Sequence, residues 1–314
     1  MASNEKDIAE KILFSHEEVF ADICNGLMFN GEQIIKPEDL LTESPVTQLK
    51  IDGKIHMQER DISKIWTKGN VKLSLIGIEN QTKEDPCMPF RIIGYDGADY
   101  KAQVTRRKKG ETKSFYPVVS LVLYFGTEHK WNCGKTLFEG FDTNIPECLK
   151  PFIHDYKTNV FDIAFLEEAD VNKFKTDFCL VADYFVQKRK YEDYHPSAEK
   201  IRFAHDFLYL MDKLTGDMRF SAALTDEELT SNEGGISMCD VLDKVESRGF
   251  EKGVLQGRQE GIKEGRQEGR QEAEEKIILN ALKSGKTVQE IFNFLSMPLD
   301  IIKAIAQKHG YPTA

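Results

Sequence analysis

The run from Tyr116 to Gly126, YPVVSLVLYFG, places the strongest constraint on the fold. It is rich in β-branched and aromatic residues, and apolar side chains fall on both faces of the strand that it predicts. A strand that is apolar on both faces has to be covered on both sides. We therefore expect the central strand of a sheet with helices packed against each face.

The flanking segments predict the remaining layers. Turns at Asp52-Gly53 and Gly69-Asn70 predict antiparallel strands at 54–66 and 71–79, and a further strand is expected at 160–166. Apolar residues at helical spacing predict helices at 7–29, closed by a left-handed turn at Asn30-Gly31, and at 89–104, 180–187 and 201–214. This order of elements is typical of an α/β fold.

The charge of the chain limits its function. The 314 residues carry 42 Lys+Arg and 52 Asp+Glu, a net charge of −10, which excludes a protein that coats nucleic acid with positive charge. The charge is uneven, however, because residues 101–113 hold six basic residues and one acidic residue. This segment is either a solvated loop or a phosphate contact, and its candidate DNA-binding residues are Arg106, Arg107, Lys108 and Lys109.

The amino terminus and the cysteines favour a cytoplasmic protein with no membrane partner. The opening residues, MASNEKDIAEK, carry charges before any apolar run, unlike a signal peptide. The longest nearly apolar stretch, 116–126, is much shorter than the roughly 20 residues that cross a bilayer. Six scattered cysteines without a CxxC pair suggest neither a zinc ribbon nor a disulfide framework.

Two carboxylates on neighbouring predicted strands can come together. If the strands pair across Gly69-Asn70, Asp61 and Glu79 lie side by side, where they repel each other unless a divalent cation binds between them. An all-oxygen set of ligands suits Mg²⁺ or Mn²⁺. Alternation along the strand turns Gln81 to the same side as Glu79 and leaves Asn80 only its backbone carbonyl for the metal. Alternatively, Asp61 is an exposed strand residue that pairs with Arg60.

Four segments in order resemble the Rpn family of recombination-promoting nucleases and putative transposases, a part of the PD-(D/E)XK nuclease superfamily. They are FADICNGLMFNGEQIIKPEDL (20–40), ERDISKIW (59–66), IGIENQT (76–82) and MPFRIIGYDGADY (88–100). The resemblance covers roughly 20–166, and the glycine-rich tail is also similar. It implies a restriction-endonuclease-like core, with a central mixed sheet flanked by helices.

The resemblance also implies an activity, namely Mg²⁺- or Mn²⁺-dependent cleavage of DNA, linked to recombination or transposition. In this resemblance, the motif aspartate of the superfamily corresponds to Asp61, and its E-x-K element corresponds to Glu79-Asn80-Gln81. The catalytic residues would then be Asp61, Glu79 and Gln81. The metal would be held by Asp61, Glu79 and Asn80. Gln81 stands where the superfamily usually has lysine, and glutamine can orient water but adds no charge and is no base. The alternative is a nuclease fold with weak or lost cleavage that acts as an oligomeric binding module.

Acidic residues on the first helix are candidates for an auxiliary role, in which they would hold a metal-bound water. Glu18 and Asp22 are four residues apart and share one helix face, and Glu17 would serve if the helix were rotated. Plain solvation is the alternative for each of them. Tyr95 and Asp96 are expected to pack and cap. The seven histidines form no HxH or HExxH cluster, so the sequence does not support a zinc enzyme.

Glycines recur every fourth residue from Gly249 to Gly269. Six helix-interior glycines cost about 5 kcal/mol relative to alanine, so the segment is either a flexible linker or a helix that a partner stabilises. In a helix, Arg258, Arg266 and Arg270 would flank the glycines on one side, and Glu260, Glu264 and Glu268 on the other. Such flanks favour a parallel homo-oligomer through the C-terminal tail.

The sequence thus predicts four parts: a nuclease-like domain at 1–215, an acidic connector at 216–248, the glycine ladder at 249–272 and a small helical module at 273–314. The last resembles a helix-turn-helix, but its second helix offers Lys303 and little else to DNA, so a protein contact or oligomer-capping role is expected. The sequence leaves open the DNA specificity and the biological role.

Overall fold

The structure, a computed structural model, describes residues 2–42, 46–51, 54–106, 115–141, 144–191, 194–231 and 235–313. The strands are β1 (Leu40–Thr42), β2 (Val46–Ile51), β3 (Lys54–Glu59), β4 (Ile62–Lys68), β5 (Val71–Gln81), β6 (Val118–Tyr124) and β7 (Asn159–Asp162). The helices are α1 (Ala2–Ser15), α2 (Glu17–Met28), α3 (Met88–Thr105), α4 (Glu168–Val171), α5 (Asp177–Lys190), α6 (Ala204–Thr215), α7 (Met218–Leu224), α8 (Glu227–Thr230), α9 (Met238–Lys283), α10 (Val288–Leu295) and α11 (Leu299–Lys308). The chain divides into two compact units, Met1–Val245 and Glu246–Ala314.

The first unit is built on a five-stranded mixed sheet in the order β1-β4-β5-β6-β7. The pairs β1–β4 and β4–β5 are antiparallel, whereas β5–β6 and β6–β7 are parallel. Strands β2 and β3 form a separate antiparallel hairpin. Its predicted turn at Asp52-Gly53 lies outside the described residues.

Strand β6 is the central strand that the sequence predicts. Leu121 and Leu123 lie in the main core, which also contains buried residues of α1, α2, α5 and α6. Val122 and Tyr124 point the other way and pack with Met88 of α3. The sheet therefore has helices on both faces, and the predicted α/β class is confirmed.

Most predicted elements are present, with two instructive differences. The predicted strand 54–66 is two strands, because β3 pairs with β2, β4 pairs with β5, and the chain leaves the ladder at Arg60 and Asp61. The predicted strand 160–166 ends at Asp162 and continues as a 3-10 turn, in which Ile163 is fully buried. The turn at Asn30-Gly31 has the positive φ angles that the sequence predicts, 56° and 89°.

Residues 216–248, which the sequence assigns to an acidic connector, contribute instead to the first unit as far as Val245. Phe220, Leu229, Met238 and Val241 from this segment are buried in the main core. Glu227 and Glu228 of α8 and Asp240 of α9 are exposed, and their charge hides the apolar residues that anchor the segment.

In the second unit, the long helix α9 ends at Lys283 and is followed by α10 and α11. Thr287 and Glu290 form a capping box at the start of α10. Ile278 and Leu282 of α9 pack with buried residues of α10 and α11, which are Val288, Ile291, Ile302 and Ala306. Over the described residues of both units, no helix has the length and apolarity needed to span a bilayer.

Candidate active site

Asp61 and Glu79 meet at one end of the sheet. Strands β4 and β5 pair with Ile62 opposite Ile78, so the next pair outward is Asp61 and Glu79. The Asp61 backbone N–H donates to Glu79 Oε1 at 3.4 Å, and the Asn80 backbone N–H donates to Asp61 Oδ2 at 2.8 Å. The predicted strand pairing thus brings the two carboxylates together, with backbone hydrogen bonds that cross between them.

Glu79 is fully buried, and this makes its ionised form expensive. Burial and the nearby Asp61 carboxylate raise its pKa to about 8, while Arg91 and Arg60 act in the opposite direction. A buried carboxylate with a strongly raised pKa beside a second carboxylate is unusual in a purely structural role. The pair therefore stands out as a candidate functional site.

A partly exposed guanidinium contacts this pair, and we call its position the mouth of the site. Arg91 of α3 places Nη2 3.3 Å from Glu79 Oε2 and 3.3 Å from the Tyr95 hydroxyl, and Nη1 2.9 Å from Asp85 Oδ2. Its side chain is 37% exposed, whereas that of Glu79 is 0% exposed. Arg91 is thus a partly exposed cation that touches a buried carboxylate.

Beneath the pair, Arg60 joins three parts of the fold. Its Nε donates to Asp99 at 2.9 Å, its Nη1 donates to Ser120 of β6 at 2.6 Å, and its Nη2 donates to Asp96. The Tyr156 hydroxyl also donates to Asp96. A Cβ atom at position 77 would lie 2.6 Å from Arg60 Nη1, so Gly77 of β5 leaves the room that the guanidinium occupies.

Neither arginine was predicted from the sequence to be part of the site. Arg91, Tyr95 and Asp99 recur every four residues on α3, a spacing that puts them on one helix face. That spacing was the available signal for Arg91, because it predicts a polar stripe on an otherwise apolar helix. The partners of Arg60 left no such local signal, and Asp96 is not only packed, as expected, but ion-paired with Arg60.

The other two residues of the E-N-Q element lie on opposite faces of β5. Alternation turns Gln81 to the face of Glu79, and its backbone carbonyl accepts from Phe125 N at 2.8 Å. Asn80 turns its side chain to the opposite face, where it is buried, and among the described residues neither Nδ2 nor Oδ1 has a hydrogen-bond partner. Only main-chain atoms of Asn80 therefore face the carboxylate pair.

The structure does not bring the predicted auxiliary acids to the pair. Asp22 is buried and accepts from the backbone N–H groups of Lys175 and Thr176 at 2.8 to 2.9 Å, just before α5. Glu18 forms an exposed ion pair with Arg202, and Glu17 pairs with Lys64 at 2.8 Å. These contacts give each of the three acids a structural role. Helix α2 packs in the main core, on the sheet face opposite Glu79, which keeps its acids away from the carboxylate pair.

Only part of the predicted basic loop can be placed. Arg106 is exposed and follows the last turn of α3, where its backbone N–H donates to Ala102 O at 2.9 Å. Arg107, Lys108 and Lys109 lie outside the described residues. Their role as DNA-binding residues stays a prediction.

The Asp61–Glu79 pair has the donors that a hard divalent cation requires. Two carboxylates, with the Gln81 amide and the Asn80 carbonyl close by along the strand, form an all-oxygen set, and Mg²⁺ is commonly bound by one or two carboxylates together with water and phosphate. No cluster of three or more His, Cys, Asp or Glu residues suited to a metal occurs in the described part of the chain. The oxygen donors of the pair suit Mg²⁺ or Mn²⁺.

Part of the chain matches a known protein family. Residues 52–201, which are 150 of the 314 residues, match the model of the family described as putative transposase, YhgA-like. We call residues 52–201 the YhgA-like segment, because they are similar to this family. The match is consistent with the predicted resemblance to the Rpn putative transposases, and confirms it. No curated protein and no solved structure gives a significant match.

The YhgA-like segment contains the whole carboxylate pair and its arginines. Asp61, Glu79, Arg60 and Arg91 lie within 52–201, as does the sheet from β4 to β7. Helices α1 and α2 precede the match, and the glycine-rich helix α9 follows it. The match therefore coincides with the part of the fold that positions the candidate site.

Arg60→Met should lower the free energy of unfolding by about 3–5 kcal/mol, because it leaves the buried Asp96 without its counter-ion. Urea unfolding measures the loss. As a matched control, Arg202→Met removes only the exposed pair with Glu18 and should cost less than about 1 kcal/mol. Equal losses in the two variants would contradict the anchoring role of Arg60.

Glu79→Gln should change how stability depends on pH. The pKa of Glu79 is raised to about 8 in the folded state from an ordinary 4.5, so the folded protein binds the extra proton and loses stability as the pH rises between these values. Because the variant lacks that carboxyl, its free energy of unfolding should rise relative to that of the wild type by up to about 1.4 kcal/mol for each pH unit in this window.

Urea unfolding in metal-free buffer from pH 4.5 to 8.5 tests this. Glu17→Gln is the control of opposite sign, because the hydrogen bond from Lys64 lowers the pKa of Glu17. That variant should be less stable than the wild type at neutral pH, and the difference should vanish as the pH falls. Parallel stability curves for Glu79→Gln and the wild type would contradict the raised pKa.

Proposed function

We propose that this chain is a DNA endonuclease that depends on Mg²⁺ or Mn²⁺, has a restriction-endonuclease-like core and acts in recombination or transposition. The observation that carries the proposal is the juxtaposition of Asp61 and Glu79 on adjacent strands, with Asp61 N only 3.4 Å from Glu79 Oε1. The family description, putative transposase, supports a reaction on DNA. The mixed sheet with helices on both faces is compatible with the proposed core.

Asp61 and Glu79 would hold the divalent cation, which when bound lowers the pKa of a water molecule and offsets negative charge on the phosphate. The backbone N–H groups of Asp61 and Asn80 keep the two carboxylates in register. Gln81, on the same strand face, can orient a water molecule or donate to a phosphate oxygen, but it cannot take up a proton. A guanidinium at the mouth, that of Arg91, adds positive charge near this position.

DNA would approach through a limited basic region. Arg106 is exposed, and it begins the basic run that continues through Lys109. Since the rest of the sequence carries more acidic than basic residues, affinity for DNA should be modest and should fall steeply with salt. The runner-up function, an oligomeric binding module on the same fold, is favoured by one observation, namely that Gln81 stands where a lysine would supply charge.

Asp61→Asn and Glu79→Gln should each reduce nicking of supercoiled plasmid DNA at least about 100-fold, because each removes one of the two carboxylate ligands. Nicking is measured with Mg²⁺ and with Mn²⁺, and EDTA should abolish it. Asp170→Asn is a matched control, since this acid pairs with Lys173 on the surface and should leave the rate unchanged. A wild-type protein that never nicks DNA with either metal would overturn the endonuclease in favour of the binding module.

We further propose that the glycine ladder joins two copies of the chain in parallel. The ladder lies within α9, and a Cβ atom at any of its six glycines, from Gly249 to Gly269, would meet open space. Among the described residues of the second unit, no close contact therefore requires these glycines, although together they cost about 5 kcal/mol in helix stability. A second helix close to this face would explain them, and the Arg and Glu flanks would pair between parallel copies.

Sedimentation velocity of the full chain tests the association. The wild type should sediment as a species larger than the 35.9 kDa monomer, and the triple variant Gly257→Leu, Gly261→Leu, Gly265→Leu as a monomer, because the leucines keep the backbones apart. The control triple variant Gln259→Leu, Lys263→Leu, Gln267→Leu changes the opposite helix face and should stay associated. A monomeric wild type at high micromolar concentration would contradict the proposal.

A further inference from the structure

The two arginines beside Glu79 are held very differently. Arg60 is 3% exposed and is fixed by Asp96, Asp99 and Ser120, so it cannot leave without exposing buried charge. Arg91 is 37% exposed, and its Nη2 lies 3.3 Å from Glu79 Oε2. The contact of Arg91 with Glu79 is therefore the one that can be exchanged.

A second anchor keeps Arg91 nearby when that contact is lost. Its other terminal nitrogen, Nη1, lies 2.9 Å from Asp85 Oδ2, and Asp85 is 27% exposed at the rim of the site. Its guanidinium also lies 5.9 Å from the centre of the Tyr95 ring. These contacts do not involve Glu79, so the Arg91 side chain can lose its contact with the Glu79 carboxylate and still remain at the mouth.

We infer that Arg91 is a built-in counter-ion that occupies Glu79 until a divalent cation displaces it, and that it thereby sets the metal affinity of the site. This inference rests on the metal-binding part of the proposed function. A guanidinium that neutralises the carboxylate weakens its attraction for a second cation. The same contact protects the metal-free protein from the repulsion between Asp61 and Glu79.

Loss of the Arg91 charge should therefore strengthen metal binding. The two carboxylates would then attract Mn²⁺ without competition from the guanidinium. The proton also competes for Glu79, but Mn²⁺ carries two charges and the proton one, so removal of a nearby positive charge favours the metal more. A gain in affinity cannot arise from general damage to the fold, and this distinguishes the counter-ion from a merely structural residue.

The test is a titration of the full chain with Mn²⁺ at pH 8.5, with free Mn²⁺ measured by its electron paramagnetic resonance signal. Arg91→Gln should lower the dissociation constant for Mn²⁺ about tenfold or more. Arg91→Lys keeps the charge and should stay close to the wild type. The matched control Lys101→Gln removes an exposed charge from the same helix and should change the constant by less than about twofold.

Equal or weaker Mn²⁺ binding by Arg91→Gln would overturn the inference, as would a gain of the same size in Arg91→Lys. Should Arg91→Gln fail to fold, Arg91→Met keeps the aliphatic stem and carries the same expectation. A protein that binds Mn²⁺ as expected in these variants but never cleaves DNA would refute the nuclease and leave the counter-ion in place. A site that binds no Mn²⁺ in any variant would refute both.

Discussion

The arrangement of the site depends on the buried guanidinium of Arg60. It lies between β4, β6 and α3, and it donates to Ser120, Asp96 and Asp99. Arg60 and Asp61 separate β3, which pairs with β2, from β4, which pairs with β5, and this set of contacts fixes the start of β4. Asp61, the next residue, is thereby held beside Glu79. The position of one catalytic candidate thus follows from an ion pair that is itself out of reach of solvent.

The carboxylate pair is electrostatically unfavourable in the metal-free protein, and the rest of the fold tolerates this cost. Burial raises the pKa of Glu79, and Asp61 adds to this effect, so the metal-free site favours either a proton or a cation at that position. Arg91 from the mouth and Arg60 from within both stabilise the ionised form. A divalent cation would relieve the same strain with greater charge. The features that destabilise the metal-free site are therefore those that would make it bind metal.

Contacts between residues close together in the sequence could be predicted from it, whereas contacts between distant residues could not. The pairing of β4 with β5 was predictable, because a tight turn at Gly69, where φ is 60°, joins them. The register that sets Asp61 opposite Glu79 also needs a shift between Trp66 and Thr67, which the sequence did not indicate. The role of Asp22 was not predictable, because its backbone partners lie 153 and 154 residues away. The sequence did not decide whether the glycine ladder is helical, because glycine has a low helix propensity. Arg60 and Arg91 were missed because their partners are set by how α3 packs on the sheet.

The central claim is that Asp61 and Glu79 form a divalent-cation site. The most direct measurement is a crystal structure of the wild-type chain grown with Mn²⁺, with an anomalous difference map calculated near the manganese edge. We expect a peak about 2.0–2.2 Å from an oxygen of Asp61 and an oxygen of Glu79, with the Arg91 guanidinium moved away from Glu79. A map without a peak there, and with Arg91 still bound to Glu79 at saturating Mn²⁺, would contradict it.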